Sequence, residues 1–525
     1  MDSRIERLRR RANAYSNAGD LHAATVALES LLAECPTDDA ARLDLALLRL
    51  RAGHYRDAHA HTLKACIQDP GNPDLLKTRL EALRVFSEHG RMRLLARQAE
   101  PASMASVDDL AAVAGALESF GDCEQATRWI EQAVSRSPAD PLISVKQAMV
   151  DLDCGRVSDA ENNLERVTAG ARPIAMAHWL LSGLRRQTDK TNHVLRLRSL
   201  LEQGQLDPLS QAQVGFALHK ELDDLGCPAE AWIALQAACQ AKRSTLDYDQ
   251  ASTATLFDQL IETFSDEVTG NEASSTRGSP TPVFIVGMFR SGTTLLERIL
   301  EAHPQVAAGG ESRRLTAQLR CGTDSHGGDV VDAAMLSGIG RIDAVDMSNR
   351  YLAAHDWLLD GRSHFTEKLP SNFQLIGFIR RFLPHAKVLH LVREPMDTCW
   401  SNLRELFAGA AVPYSYEQLE LADYHRQYQR LMQHWHRQYP GFIHDVAYAD
   451  LVSEPKKTAN AVMSFCGLPW VEGCTSIERN QRPVRTASAM QVRRPINSDS
   501  IGRWKPYAKW LVPLSEALAC SSKRR

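Results

Sequence analysis

No stretch of this chain approaches 18 uninterrupted apolar residues, which leaves nothing to read as a membrane-spanning helix. The opening segment, MDSRIERLRRRANAYS, is charged and lacks the apolar core that a secretory leader needs. Cysteine carries no pattern: eleven are scattered through 525 residues, with no C-x-x-C pair. That speaks against a disulfide framework and against structural zinc, and fits a reducing compartment. An excess of one charge is missing as well. A net charge of -3 supplies no global field to attract nucleic acid. The expectation is a soluble, cytoplasmic protein with no nucleic-acid partner and no membrane span. What is present is an ordinary globular balance, 44% hydrophobic and 24% charged, at a length that accommodates two or three domains.

The first half repeats itself. Gly19, Gly53, Gly121 and Gly155 are spaced 34, 68 and 34 residues apart. Ala24, Ala58, Ala126 and Ala160 each follow a glycine by five, and Leu21, Tyr55, Cys123 and Val157 by two. Pro36, Pro70 and Pro138 lie 17 residues after a glycine of the series. A glycine permits the tight turn between two helices, an alanine lets them pack closely, and a proline ends the second. An alanine-rich bundle with accidental spacing is the competing reading, and four registers in step disfavour it. The pattern resembles the tetratricopeptide repeat. It covers roughly residues 5–173, is degenerate near Ser87, and has a shifted copy at Gly226, Ala231, Leu235 and Ala238. The resemblance implies an all-α solenoid over 1–245 that docks a protein or peptide partner.

Residues 246–282 read as a connecting helix followed by a linker, rich in Gly, Ser, Thr and Pro from Gly270 to Pro282. An α/β domain with a parallel sheet is expected over 283–525. Its opening, PVFIVGMFRSGTTLLERILEAHP, predicts a buried strand at Val283–Val286, a tight loop over Gly287–Thr294, and a helix to Ala302. Strand, glycine loop and helix aim backbone N–H groups at a phosphate. The spacing Gly287-x-x-x-x-Gly292-Thr293-Thr294 is P-loop-like, but Thr293 stands where a nucleotide phosphotransferase needs lysine. Arg290 is the candidate replacement cation. An ordinary strand-to-helix turn is the plain alternative.

The wording FRSGTTL resembles the 5′-phosphosulfate loop of sulfotransferases, and among them the tyrosylprotein sulfotransferases, with Phe289 in place of a proline. The resemblance implies that Arg290, Ser291, Gly292, Thr293 and Thr294 bind 3′-phosphoadenosine 5′-phosphosulfate, with no metal. A strand at Lys387–Val392 ends in Arg393, and Ser401 follows eight residues later. In the family an arginine and a serine at this spacing hold the 3′-phosphate. The competing role for Arg393 is an ion pair with Glu394 or Asp397. Between Glu478 and Lys509 eight Lys/Arg face two acids. This tail resembles the family's closing segment, which implies roles for Ser488, for Arg494-Pro495-Ile496-Asn497 and for Arg503. Tyr448 is a candidate adenosine contact, with core packing as its alternative.

Glu311, in AAGGESRRL, matches the tyrosylprotein enzymes' base. Lys368, in FTEKLPSN, matches a lysine that steadies the bridging oxygen. The resemblance implies in-line sulfuryl transfer to an acceptor hydroxyl; the subfamily suggests peptidyl tyrosine as acceptor, with small phenols, sugars and lipids the open alternatives. Glu311 would accept the proton, while Arg290, Lys368 and Ser488 stabilise charge. For Glu311 the alternatives are a helix cap or a pair with Arg313 or Arg314, for Lys368 a pair with Glu367. His364 is the next candidate base. A nucleotide phosphotransferase and a catalytically inactive repeat scaffold are the two competing functions.

Overall fold

The structure, a computed structural model, describes residues 2–66, 73–119, 121–170, 173–265, 279–479 and 494–522. Up to residue 265 the described residues are helical. The helices form hairpins: Asp2–Asn17 with Leu21–Glu34, Asp39–Arg51 with Tyr55–Ala65, Val107–Glu118 with Cys123–Arg136, and Pro141–Asp153 with Val157–Thr168. In each the second helix begins at the residue two after the turn glycine. Those glycines hold left-handed φ values of +79°, +86°, +78° and +86°, where a Cβ is strained. Ala24, Ala58, Ala126 and Ala160 are fully buried between the paired helices. At the degenerate copy, Ser87 takes the glycine's place at φ +56°, and Met92 takes the alanine's, also fully buried. The hairpin Leu76–Val85 and His89–Gln98 therefore forms without either signature residue. Pro70 lies outside the described residues.

The chain folds as two compact units. Among the described residues, one takes in residues 2–138 and 312–357. Its first core joins Ala12, Ala24, Leu28, Leu31, Leu45 and Leu48. Its turn at Asp324 accepts the backbone N–H of Arg56 at 2.8 Å.

The other unit is Ala139–Gly270, Ser275–Glu311 and Leu358–Arg525. It holds a five-stranded, wholly parallel sheet: β1 (Thr281–Gly287), β2 (Val306–Ala308), β3 (His364–Glu367), β4 (Lys387–Val392) and β5 (Ile443–Ala447), in the order β2-β3-β1-β4-β5. β1 is central and buried on both faces, as an unbroken apolar run demands. One face carries Val283, Ile285, Leu389, Leu391 and Val446 into a core with helices Thr293–Glu301 and Pro455–Cys466. Helix Gln250–Thr263 packs on the same domain: Phe257 meets Phe373 and Tyr424, and Phe264, just past the helix, meets Phe378 and Trp435.

Helices Pro208–Asp224 and Pro228–Arg243 belong to this second unit. Trp232 stacks on Trp510, with ring centroids 5.9 Å apart, and Arg243 forks onto Glu420 at 2.8 and 2.9 Å. Asp223 accepts from Arg404, Arg503 and the Tyr507 hydroxyl, at 3.4, 3.2 and 2.6 Å.

Among the described residues no helix is long and apolar enough to cross a membrane. Eight cysteines among them carry free thiols. Cys123 and Cys154 are each disulfide-bonded, which the scattered cysteine pattern did not announce.

Candidate active site

The glycine loop expected to hold a phosphate joins β1 to the helix Thr293–Glu301. β1 keeps Gly287 and the helix already begins at Thr293, so the loop is shorter than the sequence suggested. Gly287, Arg290 and Gly292 all have positive φ, at +152°, +66° and +108°. A Cβ on Gly287 would meet the Leu391 carbonyl oxygen and Ser291 Oγ at 2.9 Å. One on Gly292 would enter the Tyr448 ring at 2.4 Å. Both glycines thus answer a steric demand. The loop leads into the N-terminus of the helix Thr293–Glu301, the kind of position that can hold an anion.

Around this loop the structure assembles most of the expected donor residues. Arg290 Nε donates to Ser401 Oγ at 3.3 Å, and its guanidinium lies 3.6 Å from Glu405. Arg393 donates to the backbone carbonyls of Arg290 at 2.9 Å and Ser500 at 2.6 Å. Its guanidinium lies over the Tyr448 ring, 4.7 Å from the centroid. The Tyr448 hydroxyl meets Ser500 Oγ at 2.7 Å. Glu394, the alternative partner of Arg393, instead caps helix Pro395–Leu403 by accepting from the Asp397 N–H at 2.7 Å. Asp397 accepts from the Gly502 N–H at 2.7 Å. Burial presses the Arg393 pKa downward. Tyr448 packs against the loop glycine as well as facing Arg393.

Glu311 and Lys368 find each other. Lys368 Nζ donates to Glu311 Oε1 at 2.5 Å; the lysine side chain is fully buried and the glutamate one-third exposed. Glu367 accepts from Asn372 at 3.3 Å. The cap position of helix Arg314–Thr323 is Arg313, so Glu311 is no helix cap.

The pair is tied to the phosphate-loop helix by a residue that sequence reasoning missed. Glu297 Oε1 accepts from the Gly310 N–H at 3.1 Å and from Thr366 Oγ1 at 2.8 Å. Thr366 Oγ1 also accepts from the Gly309 N–H at 3.1 Å, and the Lys368 N–H donates to the Gly310 carbonyl at 3.0 Å. The Glu297 carboxyl is pushed up by burial, with Lys368 and the Thr366 hydrogen bond pulling it back. In LLERILEA it reads as a solvent-facing helix residue, yet Thr293–Leu300 are all buried. The one signal available was a helix leaving a central strand, which must be covered on both sides.

Arg503 pairs with Asp223 at 3.2 Å, and Ser488 lies outside the described residues. His364 has both ring nitrogens engaged, with Ser363 Oγ at 2.9 Å and the Cys466 carbonyl at 3.1 Å. Burial lowers its pKa, which suits a structural histidine.

A nucleotide donor fits this cradle. Ser291 Oγ and Arg393 Nε are buried with no hydrogen-bond partner among the described residues, and both belong to groups that bind phosphate oxygens well.

Residues 282–472 match the model of the sulfotransferase family. An uncharacterized protein of Aquifex aeolicus is 29% identical over 403 residues, covering 75% of this chain and 52% of that protein. Protein-tyrosine sulfotransferase 1 of Danio rerio is 23% identical over 252 residues, covering 42% of this chain and 65% of that enzyme. The chain thus spans less than two thirds of either relative. The sulfotransferase domain of the Synechococcus PCC 7002 olefin synthase aligns at 19% identity and a TM-score of 0.29, over 46% of this chain and 98% of that one. In the present chain the glycine loop, the parallel sheet and the match to the sulfotransferase family model coincide on one stretch, residues 282–472.

Proposed function

We propose that the chain moves a sulfuryl group from 3′-phosphoadenosine 5′-phosphosulfate to an acceptor hydroxyl, with peptidyl tyrosine as the acceptor. The observation that carries this reading is the side-by-side placement of Glu311 and Lys368, fixed through Glu297 to the helix that opens at the phosphate loop. A proton acceptor and a cation in one place, next to an anion cradle, is what in-line transfer to a hydroxyl requires.

The donor, when bound, supplies the sulfuryl group. Thr293, Thr294 and the loop N–H groups hold its 5′ end, while Arg393 and Ser401 hold its 3′-phosphate and Tyr448 borders the adenosine. Glu311 takes the hydroxyl proton of the acceptor onto a carboxylate oxygen. Lys368 and Arg290 keep positive charge beside the reacting oxygens, and Ser488 adds a hydroxyl. Arg503 assists the closing segment from its Asp223 partner. The helical hairpins of 1–245, read as a tetratricopeptide-type array, dock the protein or peptide that carries the acceptor. Residues 246–282 connect them to the transferase domain, 283–525. The relatedness to protein-tyrosine sulfotransferases supports the choice of acceptor.

Calorimetry on the full chain tests the donor assignment. Adenosine 3′,5′-bisphosphate should bind without Mg²⁺. Tight binding of ATP–Mg²⁺ with none of the bisphosphate would overturn it in favour of phosphoryl transfer. Radiolabelled transfer from the donor into cell extract then identifies the acceptor.

A further inference from the structure

On the other face of the sheet from the Leu389–Val446 core, three potential metal ligands converge. His390 and Asp445 are register partners on β4 and β5, so their side chains leave the same face side by side. His436 reaches them from the last turn of helix Gln418–Gln438. Asp445 Oδ1 lies 2.7 Å from His390 Nδ1 and 3.1 Å from His436 Nε2. All three ligand atoms fall within 4.8 Å of one another. None of the three takes part in the transfer site described above.

We propose that His390 Nδ1, His436 Nε2 and an Asp445 carboxylate oxygen form a binding site for a borderline divalent cation, with zinc the best fit. Two imidazoles and one carboxylate suit zinc in donor type and count. With metal–ligand bonds of about 2.0–2.1 Å, a tetrahedral ion sets its ligand atoms about 3.3 Å apart. The present separations of 2.7 and 3.1 Å are a little tighter, so small outward movements admit the ion. Those movements are available to Asp445 and His436, whose side chains are half and one-third exposed, while His390 is buried and anchors the set. The exposed side gives the ion its entry path and leaves its remaining position to water.

The far side of the site is already arranged for this tautomer. His390 Nε2 is hydrogen-bonded to the buried Tyr428 hydroxyl. A metal on Nδ1 requires the proton on Nε2, and Tyr428 is the group that receives it, the outer-shell partner expected of a ligating histidine. The competing account is a carboxylate that merely accepts hydrogen bonds from two rings. It uses the same three residues and makes no provision for a cation, so zinc itself separates the two.

The full chain, stripped with a chelator, is titrated with zinc by calorimetry, and with cobalt as a visible-absorption probe. The expected result is one zinc per chain at micromolar affinity or better, with a cobalt spectrum free of thiolate charge transfer. His436→Ala and Asp445→Asn should each weaken zinc roughly 10-fold or more, the scale at which even outer-shell partners act. Zinc should raise the melting temperature of the parent and not of the variants. Should one variant fail to fold, the other carries the comparison. Absence of a one-to-one isotherm in the parent, or affinity unchanged in a folded variant, overturns the proposal.

Discussion

Lys368 Nζ sits 2.5 Å from Glu311 Oε1, with the ammonium fully buried and the carboxylate partly open to solvent. The closed end of this pair is the lysine, and the open end is the glutamate. Under the proposed transfer, an incoming hydroxyl would meet Glu311 before Lys368.

Glu311→Gln keeps the shape of the side chain and an oxygen for Lys368, and removes proton acceptance. Turnover should fall by roughly 10²–10⁴-fold, the usual share of general base catalysis, with bisphosphate affinity little changed. Phenols of low pKa should suffer less. Melting temperature and turnover measured on one preparation decide the matter: a destabilised variant with near-normal turnover would give Glu311 a structural role only.

Arg393→Ala removes the guanidinium that reaches the Arg290 and Ser500 carbonyls. Affinity for adenosine 3′,5′-bisphosphate should drop by about 1.5–3 kcal/mol, the scale of a charge-assisted hydrogen bond. Adenosine 5′-phosphosulfate, which lacks the 3′-phosphate, should be nearly indifferent. Equal losses for both nucleotides in calorimetry would confine Arg393 to the fold.

Glu297 gives a pH-dependent prediction. Burial raises its carboxyl above the ordinary 4.5, so the folded chain binds this proton more tightly than the unfolded chain does. Stability then declines as pH climbs from the ordinary value through the raised one. Glu297→Gln should flatten that decline in melting curves taken across the acid range. It retains an oxygen for Thr366 and Gly310, and should keep most turnover. Glu297→Ala strands both donors, at about 1–3 kcal/mol each, and turnover should fall about 10-fold or more with bisphosphate affinity nearly intact. Equal turnover in the two variants would rule out a positioning role.

Gly292→Ala places a methyl 2.4 Å from a Tyr448 ring atom at a φ of +108°. Bisphosphate binding should be lost or severely weakened. Adding Tyr448→Ala relieves the collision but not the backbone strain, so the double variant should recover only part of the affinity. Full recovery would assign the glycine to space alone.

Much of this was readable from residues in a row. The turn glycines and their alanines mark the helices because a hairpin is a local object, and β1, its loop and its helix are contiguous. Other features depend on partners far along the chain. Ser87 adopts the glycine conformation because the hairpin around it holds it there. β2 and β3 have three and four residues, too short for a periodicity to declare itself. Glu297 has the composition of a surface residue, and only the sheet on one side and the Gly309–Glu311 turn on the other bury it. Arg503 meets an acid 280 positions earlier, which no local window contains. His390 and Asp445 become neighbours only once two strands align.

Asp223 lies in the last turn of the helix Pro208–Asp224, and it gathers Arg404, Arg503 and Tyr507 from the carboxy-terminal half. Burial would lift this carboxyl, but Arg404, Tyr507 and Arg503 together hold it below the usual range. Two guanidinium groups and a phenol thus share one counter-ion that a chain cut at residue 245 would not possess, and Trp510 would lose Trp232 in the same stroke. The two halves are consequently not interchangeable cassettes. A carboxy-terminal half grafted behind a foreign helical array inherits two adjacent, uncompensated arginines, so any successful exchange must carry the helix Pro208–Asp224 and its successor across with it.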